Sequence, residues 1–182
     1  MTRLVRYAGL TRIGPSPGEG FVRPHELVDE LLRDVHSAFE ELERDKESQH
    51  RRRVAVRAVF AHVEGLLAAL KLELFRELHR QHREASSSPA EQDVAFLKER
   101  KASFTNDEWT FGRHVRIGLS NSIRATFEIG ARVWAAKFEH DESGHQSLTF
   151  ARAARNRLMH PKTYYDLLIS DDEMGHVAKT SF

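Results

Sequence analysis

Two stripes of apolar residues at helical spacing constrain the fold of this 182-residue chain more than any other feature. From Pro24, Leu27, Leu31, Val35, Phe39 and Leu42 recur three or four positions apart, the pattern of one buried helix face. Proline is tolerated in a first helical turn, where its missing N–H has no partner to lose. The neighbours are mostly Glu, Asp and Arg, so the opposite face is wet. The second stripe is Val56, Val59, Phe60, Val63, Leu66, Leu67, Leu70, Leu74 and Leu78, and it predicts a helix from about Gln49 to Glu84. The expected fold is an all-α bundle built on a long antiparallel hairpin of these two helices.

The remaining elements are placed by local signals. Residues 1–23 read as a flexible N-terminal arm, because Gly14-Pro15-Ser16-Pro17-Gly18-Glu19-Gly20 holds neither helix nor central strand. Residues 24–182 then form one all-helical domain. Ser88 as N-cap, Pro89 and Glu91 predict a third helix to about Ala102. Thr105-Asn106-Asp107-Glu108 repeats the capping-box pattern and predicts a short helical element ending near Gly112. A helix from about Arg116 to Glu139 is expected to carry Leu119, Ile123, Phe127, Trp134 and Phe138 on one side. Gly144 ends a loop, a further helix starts near Ser147, and Pro161 stops or bends it. Ser170-Asp171-Asp172-Glu173 opens a last short helix. β-branched residues do not cluster and few segments alternate with period two, so no strand is expected.

Composition narrows the function classes. The net charge is +1, so any anion must be attracted by a local patch. With no cysteines, disulfides and thiolate metal sites are excluded. No apolar run approaches the roughly 20 residues that span a bilayer. No apolar stretch follows Arg3 and Arg6, so the start does not read as a secretory signal. The expected location is the cytoplasm, with no membrane partner.

The stretch with most chemical content is Arg155-Asn156-Arg157-Leu158-Met159-His160-Pro161. Arginine grips phosphate through a planar fork of donors, and histidine titrates nearest to neutrality. Cleaving RNA with its own 2′-hydroxyl needs a base for that proton, cations for the charge building on phosphorus, and an acid for the 5′-oxygen. His160 suits base or acid, Arg155 suits the phosphate, and Asn156 stands one turn before His160 and suits an orienting role. Arg152, Asn156 and His160 form one i, i+4, i+8 stripe, while Arg157 and Lys162 add positive charge. In an ideal helix Arg155 and His160 diverge by roughly 140°. Pro161 biases His160 away from helical dihedrals, and arginine is long. The alternative is that Arg155 serves an ion pair and His160 a helix C-terminus.

This stretch, continued by Lys162 and by Asp166-Leu167-Leu168-Ile169-Ser170-Asp171-Asp172-Glu173, resembles the HEPN family of prokaryotic all-helical domains. The family motif is Arg, commonly a polar residue such as Asn, a short spacer and His, matched here by Arg155, Asn156 and His160. Phe60 to Leu67 is similar to the helix such domains place beneath the site. The resemblance implies a metal-independent endoribonuclease without cofactor, with its site at a homodimer interface and a setting in defence, abortive infection or toxin–antitoxin biology. It implies RNA as substrate and allows an antitoxin or defence-system partner. The alternative within the same resemblance is a non-catalytic dimerisation or partner-binding module. Independently, one histidine cannot act as base and acid in one step, and a two-fold dimer brings two.

Other residues are weighed in the same way. Glu64 stands at the margin of the second stripe with no cation three or four positions away. It pairs with Arg155, or it reaches solvent or another base. Arg51-Arg52-Arg53 with Arg57 suits an RNA backbone, but the acids from Glu40 to Glu47 favour a locally compensated, solvated helix start. His79/His82 and His140/His145 lack the carboxylates of a metal motif, so no metal site is expected. Trp109, Trp134, Phe127 and Phe138 read as core or interface. Tyr164 and Tyr165 suit either stacking on a base or packing the helix end.

Overall fold

The computed structural model describes residues 24–85, 91–105, 108–115, 117–137 and 141–180. Helix α1 spans Pro24–Arg44 and α2 spans Gln49–Ala85. Between them Asp45 N–H donates to Leu42 O at 3.1 Å and Ser48 N–H to Asp45 O at 3.2 Å, which reverses the chain. The 37 residues of α2 extend about 55 Å at helical rise. The expected N-terminal arm and the Ser88-Pro89 helix start lie outside the described residues.

Helix α2 serves two apolar clusters. Its first half gives Ala55, Val56, Val59 and Phe60 to a core shared with Val35, Ala38 and Leu42 of α1. Helices α5 (Glu142–Met159) and α6 (Asp171–Thr180) close that core with Ala151, Ala154, Leu158, Met174 and Val177, helped by Ile169 before α6. The second half of α2 gives Leu70, Leu74 and Leu78 to a smaller cluster with Leu97 and Ile129. These come from α3 (Glu91–Leu97) and α4 (Leu119–Val133). Each fully buried side chain of this size contributes roughly 1.5–3 kcal/mol through desolvation. Both stripes thus face inward, except that Leu27 and Leu66 remain 43% and 37% exposed.

Helix α2 also buries a histidine. His62 is 8% exposed and its Nδ1 has no partner among the described residues. Burial holds its pKa below the ordinary 6.5, and the nearby His36 adds to the effect.

The basic run at the start of α2 is a clamp. Arg52 is 6% exposed. Its Nε donates to Lys46 O at 2.7 Å and its Nη1 to Ile169 O at 2.8 Å. Nη2 pairs with Asp171 at 2.6 Å. Arg53 donates to Leu167 O at 3.2 Å, and Gln49 exchanges side-chain hydrogen bonds with both backbone groups of Ile169. Arg52 and Arg53 therefore tie the α1–α2 turn to the segment before α6, which corrects the solvated reading at these two residues. Arg51 faces Glu41 and Asp45 at 3.8 Å and Arg57 is exposed, as local compensation predicts.

Four further expectations are corrected. Where a short capped helix is expected, β1 (Arg100–Thr105) and β2 (Glu108–His114) form an antiparallel ribbon. Thr105 pairs with Glu108, Phe104 with Trp109 and Ser103 with Thr110, with an irregularity between Arg100 and Ala102. Threonine and aromatic residues favour a pleated backbone. The fold is thus predominantly helical rather than purely so. Accordingly α3 ends at Leu97, short of Ala102. In α4 the buried positions are Ser122, Thr126, Ile129 and Gly130, while Phe127 is 39% and Trp134 45% exposed. Gly130 faces α2, where a Cβ would make ordinary contact with Leu74 Cδ2 at 3.7 Å. Finally, α5 begins at Glu142, not near Ser147, because Asp141 caps it by accepting from Ser143 N–H at 3.0 Å.

Candidate functional site

The site is built on α5. Its inward face, Leu148, Ala151, Ala154 and Leu158, is buried in the main core. That orientation carries Arg152, Arg155 and Asn156 to the side of α5 that faces α2 and α4. There they line an open cleft of about 570 Å³ together with Glu64, Lys71 and Glu99.

Arg155 is held in place twice. Its Nη2 donates to Glu64 Oε1 at 2.8 Å and its Nη1 to Asn156 Oδ1 at 3.3 Å. Glu64 therefore has the arginine partner. Asn156 engages Arg155 rather than the ring of His160. The Arg155 side chain is 26% exposed and Glu64 is 47% exposed, so the pair stands at the cleft's wet edge.

Arg152 donates to Ser120 Oγ at 2.8 Å, across to the first turn of α4. Lys71 is 6% exposed and bonds Glu99 Oε1 at 2.5 Å. Glu99 follows α3 with φ 51°, a left-handed conformation that costs a non-glycine residue roughly 1–3 kcal/mol. The pairing with a buried ammonium offsets that strain. Lys71 was missed in the sequence; its signal is a cation inside an apolar helix stripe, between Leu70 and Leu74.

His160 is the C-cap of α5, with φ −136° and ψ 57°. Its backbone has left the helical region, as Pro161 dictates. Its N–H still donates to Asn156 O at 3.2 Å and Arg157 O at 3.3 Å, which keeps the start of the residue on the helical track. The exposed imidazole is not among the residues lining the cleft. The bend alone does not unite Arg155 and His160 within one chain.

Arg157 points the other way. It donates to Glu173 Oε1 at 2.7 Å and Leu168 O at 3.1 Å, so its charge is spent on α6 and not on the cleft. For Glu173, burial works to raise the pKa, but hydrogen bonds from Arg157 and Ser170 outweigh it and leave the carboxyl below its usual range. Lys162 is exposed, and its backbone N–H donates to Asp166 Oδ2 at 2.8 Å. Backbone donors from Lys162 and Thr163 hold the Asp166 carboxyl below its usual value. The same carboxylate caps the 3₁₀ turn Tyr164–Leu167. This turn presents Tyr164 and Tyr165 at 71% and 78% exposure, so neither packs the helix end.

Among the described residues, no group of three or more His, Asp or Glu side chains converges as a metal site. No described helix is long and apolar enough to cross a membrane. Comparison of the chain with protein-family models, curated proteins and solved structures found no match.

Proposed function

We propose that the chain is a metal-independent endoribonuclease of HEPN type whose site is completed by a second copy. The observation that carries this reading is the division of labour along α5. Arg155 is oriented at a cleft edge by Glu64 and Asn156, while His160 stands exposed at the bent helix end. One copy offers a phosphate ligand and, separately, a proton-transfer group. Two copies related by a two-fold axis supply two of each. One histidine takes the 2′-hydroxyl proton as that oxygen attacks phosphorus. The other protonates the departing 5′-oxygen, and Arg155 stabilises the charge between them. The products are a 2′,3′-cyclic phosphate and a 5′-hydroxyl. The same reading carries the cytoplasmic setting, the role in defence or toxin–antitoxin biology, and an antitoxin or defence-system partner.

The test is light scattering on purified protein followed by RNA digestion in EDTA. Cleavage is expected from the dimer, and His160→Ala lowers it by about 10²–10⁴-fold. A clean dimer that cleaves no RNA pool would sink the reading. The Arg155–Glu64 bond favours one alternative, a non-catalytic module in which that pair is structural. Its signature is strong destabilisation by Arg155→Ala in a protein without nuclease activity.

A further inference from the structure

Among the described residues, the cleft holds one cation that no carboxylate neutralises. Its three basic side chains are Lys71, Arg152 and Arg155, and its two acidic ones are Glu64 and Glu99. Glu64 is committed to Arg155 and Glu99 to Lys71. Arg152 bonds a neutral hydroxyl, that of Ser120, at 2.8 Å. It is half-buried, and a partly desolvated guanidinium gains from an anionic partner. The first turn of α4, where Ser120 stands, carries no acid. Asn156 and Ser122 add neutral hydrogen-bonding groups to the same wall. At about 570 Å³ the cleft falls in the usual range for small-ligand sites, roughly 300–1,000 Å³.

We propose that this cleft is a phosphate-binding site in its own right, with Arg152, positioned by Ser120, as the principal ligand. A guanidinium fork matches two oxygens of a tetrahedral oxyanion. The site binds a phosphorylated nucleotide group, either the terminal phosphate of a mononucleotide or an internal phosphate of a strand. If the ribonuclease reading holds, the bound group is a phosphate flanking the scissile one, but binding here requires no cleavage.

The test is amide NMR of the full chain titrated with inorganic phosphate, adenosine 5′-monophosphate and a DNA decamer, which lacks the 2′-hydroxyl and stays intact. Saturable shifts are expected at Ser120 and Arg152. Arg152→Met, which keeps the aliphatic stem, weakens binding about ten- to a hundredfold, the loss of charge-assisted hydrogen bonds. Ser120→Asp weakens it too, by placing a carboxylate on Arg152, and an acid in a first helical turn suits the helix. Arg124→Met, on the exposed face of α4, leaves affinity unchanged. Tighter binding of the mononucleotide with a silent decamer identifies a nucleotide ligand; matching shifts with the decamer identify a strand. Absence of saturable shifts with all three probes, or equal affinity in both cleft variants, overturns the proposal. Loss of cleavage alone leaves it standing, because the readout is binding.

Discussion

Replacing Arg52 by methionine separates a structural clamp from a surface that tracks RNA. The guanidinium donates to Lys46 O at 2.7 Å and Ile169 O at 2.8 Å, and it pairs with Asp171 at 2.6 Å. Hydrogen bonds from a charged donor contribute about 1.5–3 kcal/mol each. Two such bonds are lost, but the loss is moderated at both ends. Gln49 Nε2 still donates to Ile169 O at 3.1 Å, so that carbonyl keeps a partner. Asp171 is 86% exposed and returns to water, so the ion pair itself contributes little. Methionine preserves much of the stem's packing. The expected destabilisation is therefore about 3 kcal/mol, the low end of the sum of two bonds. With a urea slope near 2 kcal/mol/M, the unfolding midpoint falls by about 1.5 M. Arg51→Met is the control: its guanidinium stands 3.8 Å from both Glu41 and Asp45, and the loss is under about 1 kcal/mol. Urea denaturation of the two variants decides the matter. Equal small losses would refute the clamp. So would a fall in RNA affinity at Arg52→Met with stability unchanged.

Three other outcomes follow from the packing and the titrating groups. Phe60 is 2% exposed in the main core, so Phe60→Ala costs about 3–5 kcal/mol by chemical denaturation; a loss below 1 kcal/mol contradicts the assigned core. His62 has a folded pKa below its ordinary 6.5. The unfolded chain therefore takes up the proton first, and stability is full above that value and falls as the pH drops below it. His62→Leu is expected to gain on the native protein between pH 8 and pH 5, and a pH-independent difference argues against the buried neutral ring. Glu173 has a depressed folded pKa, so its contribution is present above the ordinary glutamate range and is lost as the pH falls through the folded value. The stability gap between native protein and Glu173→Gln should shrink on acidification toward pH 3, and a constant gap would show that ionisation of Glu173 is not what holds Arg157.

Periodicity revealed the helical hairpin because both of its helices bury continuous aliphatic stripes, as at Val35, Val56 and Val59. It misjudged α4 because three of that helix's four buried positions are Ser122, Thr126 and Gly130, small residues that hydropathy overlooks. Phe127 and Trp134 supplied a false stripe. The β ribbon was hidden by its shortness, although Phe104-Thr105 and Trp109-Thr110-Phe111 flank the turn-favouring Asn106-Asp107. Of the site, the Glu64–Arg155 pair was legible, since a carboxylate at the edge of a buried stripe needs a partner. The direction of Arg157 and the burial of Arg52 were not, because each depends on where α6 returns to the bundle.

Ala154 and Leu158 bracket Arg155, at 0% and 4% exposure, and both belong to the main cluster. The backbone that carries the arginine is thus welded into the most protected part of the molecule. Amides along this turn should exchange with deuterium only when the whole cluster opens. Such an element has no hinge of its own through which an effector could retract the guanidinium. Any change in how the guanidinium is presented is left to its side-chain partners Glu64 and Asn156, not to movement of the backbone.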